Sequence, residues 1–141
     1  MKIVLVTGGF DPIHSGHIAY FKAAKSLGDY LVVGLNSDEW LERKKGKAFM
    51  PWNERLCIVN NLRMVDEVYT FDDEDGSARK FIHQVRAHYP NDELIFANGG
   101  DRTKENIPEM DVIDHNLKFE FGIGGTDKKN SSSWILEKWK T

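Results

Sequence analysis

Short apolar runs alternate with stretches of helical period along this chain. Ile3-Val4-Leu5-Val6 is short, rich in β-branched residues and ended by glycines, which predicts a buried strand over 2–6. Tyr20, Ala23, Ala24 and Leu27 fall at i, i+3, i+4 and i+7, predicting a helix that opens at Ile18 and stops at Gly28. Tyr30–Leu35 is a second apolar run, so strand, crossover helix and strand form a parallel βαβ unit. Asn36-Ser37-Asp38 is placed to cap a short helix through Trp40 and Leu41. Lys44–Met50 lacks apolar periodicity and reads as a mobile loop. Pro51 then opens a helix whose buried face is Leu56, Val59 and Leu62. Glu67–Phe71 reads as a third strand, and the acidic run Asp72–Asp75 favours the start of a helix reaching about His88. Glu93–Ala97 is a fourth strand and Lys118–Ile123 a fifth, with only a short helix or turn expected over 104–116. Ser131-Ser132-Ser133 caps a last helix carrying Trp134, Ile135, Leu136 and Trp139. The pattern predicts a single Rossmann-like α/β domain over 1–141, with a five-stranded, mainly parallel sheet and helices on both faces.

The loops carry the chemistry. Thr7-Gly8-Gly9-Phe10-Asp11-Pro12-Ile13-His14-Ser15-Gly16-His17 joins the first strand to the first helix. A helix start offers free N–H groups and partial positive charge to a phosphate, and His14 and His17 add two donors. Asn98-Gly99-Gly100-Asp101-Arg102 makes a second glycine loop after the fourth strand, and Gly124–Asn130 a third after the fifth. In an open parallel sheet all three gather at the carboxyl ends of the strands, where ligands bind.

Composition narrows the partners. A formal net charge of -3 argues against general nucleic-acid affinity, although Arg43–Lys47 places four cations in five positions. One cysteine, Cys57, rules out an internal disulfide and suits a reducing compartment; it reads as a core residue. The first apolar run is too short for a secretory signal, and no stretch approaches a membrane span, so a cytoplasmic protein is expected. His83, His88 and His115 lie outside the loops and read as surface or core residues, and the four tryptophans as packing or subunit-interface residues.

Gly9-Phe10-Asp11-Pro12-Ile13-His14-Ser15-Gly16-His17 resembles the HxGH signature of the cytidylyltransferase-like nucleotidyltransferases. Leu31–Trp40, Arg55–Asp66, Gly99-Gly100-Asp101 and Ser131-Ser132-Ser133 resemble that family in order and spacing, so the likeness covers nearly the whole chain. Asn36-Ser37-Asp38 and Gly99-Gly100-Asp101 are similar to heptose-phosphate adenylyltransferases; Gly34–Trp40 and Arg63–Asp66 are similar to glycerol-phosphate cytidylyltransferases. The resemblance implies in-line attack by a substrate phosphate on the α-phosphate of CTP or ATP, with pyrophosphate leaving and CTP favoured. An acceptor phosphate is already ionised near neutrality, so the task is positioning and charge stabilisation. It further implies that His14, His17 and Lys44 are catalytic, with Lys45 or Lys47 as substitutes for Lys44. Thr7, Gly8, Gly9, Phe10, Asp11, Gly16, Arg55, Asn98, Gly99, Asp101, Lys128, Lys129, Ser131, Ser132 and Ser133 would bind the nucleotide. Mg²⁺ would be held mainly by phosphate oxygens rather than by dedicated protein ligands. The partners expected are the nucleoside triphosphate and a small phosphorylated alcohol or sugar, within a homodimer, without nucleic acid or membrane.

Alternatives remain at several positions. Arg55 reads equally as a ligand contact or as a helix residue pairing near Glu54, and Arg63 adds a dimer contact to the same choice. Asp101 is either a nucleotide contact or a turn residue. Relatives carry an arginine before the last loop where this chain has Gly125-Thr126-Asp127; Lys128 or Lys129 would supply a point charge in place of a bidentate fork. That departure sustains the alternative of a nucleotide sensor without turnover, whereas both histidines and several lysines argue for an enzyme. An aminoacyl-tRNA synthetase would need a tRNA-binding domain and a second lysine-rich signature, and this chain has neither.

Overall fold

The computed structural model describes residues 1–100, 102–124 and 135–138. Its five strands are β1 (Lys2–Gly8), β2 (Tyr30–Leu35), β3 (Glu67–Thr70), β4 (Glu93–Gly99) and β5 (Leu117–Ile123). They lie in the order β3-β2-β1-β4-β5, and every neighbouring pair is parallel, so the sheet is wholly rather than mainly parallel. The helices are α1 (Ser15–Lys25), α2 (Asp38–Lys45), α3 (Trp52–Asn60) and α4 (Arg79–His88), with a 3-10 turn over Pro108–Asp111.

Strand alternation explains why helices cover both faces. In β1, Ile3 and Leu5 join Phe81, Ile82 and Val85 of α4 in one core cluster. Val4 and Val6 point the other way, toward Phe21 and Ala24 of α1 and Val59 of α3. β4 divides in the same manner, Leu94 and Phe96 against Ile95 and Ala97. A Cβ on Gly34 of β2 would lie 2.9 Å from the Phe81 ring, so glycine there lets α4 settle directly on the sheet.

Several boundaries differ from the sequence pattern, each for a local reason. α1 begins at Ser15 rather than Ile18, because His14 caps it. Lys44 and Lys45 belong to the last turn of α2, not to a loop, since Gly46 at φ 95 ends the helix after them. The acidic run does not start α4, whose first turn contains no acidic residue. Asp72 instead accepts from the Glu74 amide, and Asp75 from the Ser77 amide and hydroxyl. Such side-chain turns compete with helix for the same backbone groups. Glu109 of the 3-10 turn accepts from the Ala78 amide at the start of α4. β4 runs on through Asn98 and Gly99, which the pattern assigned to a loop. Cys57 is exposed, not core: it faces away from the buried side of α3, which carries Arg55 and Val59. Of the last predicted helix, 135–138 are helical, and its serine cap lies outside the described residues.

Candidate nucleotide site

Strand order reverses between β1 and β4, and such a reversal opens a crevice beyond the strand carboxyl ends. The loop leaving β1 and the Gly99-Gly100 turn leaving β4 flank that crevice. Gly100 takes φ 63, in the left-handed region that glycine enters without strain. The paired glycines of the first loop have a packing reason as well as room for a ligand. A Cβ on Gly8 would stand 2.8 Å from the Phe10 ring, and one on Gly9 2.7 Å from Leu41.

The two histidines form a reciprocal cap on α1. His14 Nδ1 accepts from the Gly16 amide (3.0 Å), and His17 Nδ1 accepts from the His14 amide (3.2 Å). A charged imidazolium has no acceptor, so both rings are neutral with the proton on Nε2. The rings stack with centroids 3.8 Å apart, and Phe10 meets His17 edge-on at 5.0 Å. Burial lowers the pKa of both; His17 falls to about 3, with further lowering by the nearby His14 imidazole, should it charge, and by the Lys45 ammonium. The amide of His17 is also taken, bonding to the His14 carbonyl. The first-turn amides of Gly16 and His17 are therefore not open to a ligand, contrary to expectation. Their polarity is passed on through the rings, which keep Nε2–H as the donor.

Asp11 and Arg55 fasten this loop to its neighbours. Asp11 is buried, and its carboxylate accepts from the amides of Phe49 and Met50, both at 2.6 Å. Arg55 is fully buried and donates to the carbonyls of Met50, Gly9 and Asn36 and to Asp38 Oδ1 (2.6 Å). Its ion pair is with Asp38 rather than near Glu54, and its guanidinium ties three segments together instead of facing the crevice. Phe10, with φ 51, packs in the core against Phe21. Asn98 is buried, its amide directed at the Phe96 and Glu120 carbonyls across β4 and β5. Thr7 is half-buried near the end of β1. Asp101, Lys128, Lys129, Ser131, Ser132 and Ser133 lie outside the described residues.

The lysines divide by helical phase. Lys44 sits one turn beyond Trp40 and places Nζ 4.6 Å from its ring, a cation–π geometry. Lys45 turns to the loop instead: Nζ donates to the Asp11 carbonyl, and its charge is felt at His17. Lys45 is thus the lysine grouped with the histidines. The four-residue step from Trp40 to Lys44 was the sequence signal that separates the two, once both are known to be helical. Two neutral N–H donors beside one cation suit a phosphate group.

A cytidylyltransferase-like family model matches residues 5–122. The chain belongs to the cytidylyltransferase-like family. It is 46% identical over 142 residues to the bifunctional protein HldE of Campylobacter concisus, covering 99% of this chain and 27% of that protein. It is 33% identical over 141 residues to HldE of Helicobacter pylori, covering 99% and 28%. The chain thus spans little more than a quarter of the length of these relatives. Among solved structures it resembles the lipopolysaccharide core biosynthesis protein from Thermoplasma volcanium, with TM-score 0.64, 26% identity, and 86% and 95% of the two chains covered. A bifunctional NMN adenylyltransferase/ADP ribose pyrophosphatase from Francisella tularensis shares the fold, with TM-score 0.66 and 13% identity, covering 98% of this chain and 41% of that one.

Proposed function

We propose that this nucleotidyltransferase-family chain transfers AMP from ATP to a sugar phosphate of the heptose-phosphate class, releasing pyrophosphate. The observation that carries nucleotidyl transfer is the His14–His17 pair, neutral and held as two Nε2–H donors beside Lys45. The resemblance by itself favoured CTP. The HldE relatives and the lipopolysaccharide core protein support the adenylyl alternative better, together with Asn36-Ser37-Asp38 and Gly99-Gly100.

The two Nε2–H groups donate to phosphate oxygens on which negative charge grows as pyrophosphate departs. Because the donors are fixed before the reaction, little reorganisation is needed. Lys45 adds a full positive charge at the same place. The acceptor's phosphate is its own nucleophile, so no side chain need act as base; the first loop and the Gly99-Gly100 turn hold the reactants in line. Among the described residues no three His, Cys, Asp or Glu side chains gather to hold a metal, and the Asp11 carboxylate is committed to two amides. Mg²⁺ would arrive as part of the nucleotide substrate, bound chiefly by its phosphates. No helix among the described residues is long and apolar enough to cross a membrane.

Pyrophosphate release tests this directly, with ATP and CTP each offered with heptose 1-phosphate and glycerol 3-phosphate. ATP with the heptose phosphate should turn over at least about tenfold faster than any CTP pair, on the order of one hydrogen-bond difference at a base edge. His17→Ala should lower turnover by roughly 10²–10³-fold, the usual loss of one preorganised donor. Faster CTP turnover would reverse the base assignment, and a near-normal His17→Ala would remove the histidine from the chemistry.

A further inference from the structure

Asp73 is a buried carboxylate outside the candidate nucleotide site, and it holds both ends of the helix that carries Lys45. Its Oδ2 accepts from Asn36 Nδ2 (2.9 Å) and the Ser37 amide (2.8 Å), and its Oδ1 from the Ser37 hydroxyl (2.7 Å). Ser37 in turn caps α2, its Oγ accepting from the Trp40 amide at 3.1 Å. At the other end of α2, Arg43 Nη2 donates to the backbone carbonyl of the same Asp73 (2.9 Å) and stands 3.9 Å from its Oδ1. Asp73 is 4% exposed. One residue of the β3–α4 connection therefore fixes the start of α2 through Ser37 and its last turn through Arg43. Two positions after Arg43, Lys45 reaches the Asp11 carbonyl of the histidine loop.

We infer that Asp73 is a positioning residue for nucleotidyl transfer, setting the rotation and tilt of α2 so that Lys45 meets the phosphate held by His14 and His17. This rests on the transfer reaction proposed above. A carboxylate suits the task because Asn36 Nδ2, the Ser37 amide and the Ser37 hydroxyl all donate to it, and a carboxylate is acceptor-only on both oxygens. An amide at position 73 keeps one acceptor oxygen for Asn36 Nδ2 and the Ser37 amide, but it turns an N–H toward the Ser37 hydroxyl, which must then accept instead of donate, and it removes the charge that strengthens all three bonds, so the cap loosens. Misplacing a charged group by about 1 Å can reduce turnover by about 10²-fold, so a small rotation of α2 is enough to be read.

The test is a double-mutant cycle on the full chain, comparing wild type, Asp73→Asn, Lys45→Ala and the combined variant by kcat and by KM for the nucleotide. If Asp73 acts through Lys45, Asp73→Asn lowers kcat by about tenfold or more, and adding it to Lys45→Ala costs almost nothing further. Arg43→Ala, at a half-exposed side chain, cuts only the second tie; it should give a smaller loss that also vanishes in the Lys45→Ala background, and it serves if Asp73→Asn does not fold. Amide exchange should rise along α2 in Asp73→Asn and stay unchanged in α1. Losses that multiply in the double variants, or a normal kcat in both Asp73→Asn and Arg43→Ala, would overturn the inference while leaving the transfer reaction standing. A wild-type chain without turnover on any nucleotide would defeat the proposed reaction and this inference together.

Discussion

A ring nitrogen that accepts a hydrogen bond cannot carry the proton, and this fixes His14 and His17 more tightly than their sequence suggests. Each Nδ1 accepts from a backbone amide, so each proton sits on Nε2, and both rings are neutral in the free protein. Nitrogen chemical shifts should therefore report the Nε2–H tautomer for both residues at pH 7. His17 should stay neutral as the pH falls well below 5, since its pKa lies at about 3. A protonated His17 at pH 6 would break the cap and refute the arrangement. The place of these two histidines at the start of the first helix was legible in the sequence, because His-x-Gly-His stood between a strand and a helix. Their tautomers were not legible, since they depend on ring orientations that only the folded loop sets. On sequence alone Lys44 stands before Lys45, because the family resemblance falls on it; the helical phase that sends Lys44 to Trp40 and Lys45 to Asp11 appears only in the folded chain.

Between elements, the strongest ties around the site run through charges buried against backbone. Arg55 lies on α3 but serves the first loop, the turn after β2 and the link between α2 and α3, through Gly9, Asn36 and Met50. Truncating it strands two buried carbonyls, Gly9 and Asn36, and the part-buried carbonyl of Met50, and removes the partner of Asp38. Arg55→Ala should cost about 3 kcal/mol of stability, measured as a lowered urea midpoint. Arg55→Lys should recover little, because an ammonium cannot span acceptors arranged for a planar fork. A loss below about 0.5 kcal/mol, typical of a surface substitution, would show that the fork is not needed. The sequence left Arg55 between ligand contact and helix ion pair, and the structure supplies a third role. Hydrophobic periodicity marks which helix face is buried, but it carries no sign that a charge will be buried on that face. The acidic run was misassigned for the same reason: dipole logic placed Asp72–Asp75 in a helix, whereas their side chains found nearer donors.

For the whole molecule, element order and parallel pairing were legible because short apolar runs alternate with stretches of helical period, and the βαβ rule then fixes direction. Two partly buried groups make its acid stability separable into windows. His17 has a folded pKa of about 3 against an ordinary 6.5. Between those values the unfolded chain binds a proton that the folded one refuses, so stability falls as pH falls through that interval, by up to about 1.4 kcal/mol per pH unit. Asp114, paired with Arg86 where the β4–β5 connection is pinned to α4, also loses stability as pH falls, but as an anion held charged and in a lower window. Its carboxyl is held down to about 2 by the Arg86 hydrogen bonds first and then by the Asn116 amide, against a burial effect in the other direction. Its contribution is complete above the ordinary 3.8 and is lost as pH falls toward 2. Urea midpoints at pH 7, 5, 4 and 3 should therefore show the wild type losing ground to His17→Gln first, from about pH 6.5 downward. Its advantage over Asp114→Asn should hold until about pH 4 and shrink only below that. Parallel curves for wild type and His17→Gln across pH 6.5 to 4 would mean that His17 is protonated in the folded protein, and the neutral donor pair proposed for the phosphate would have to be abandoned.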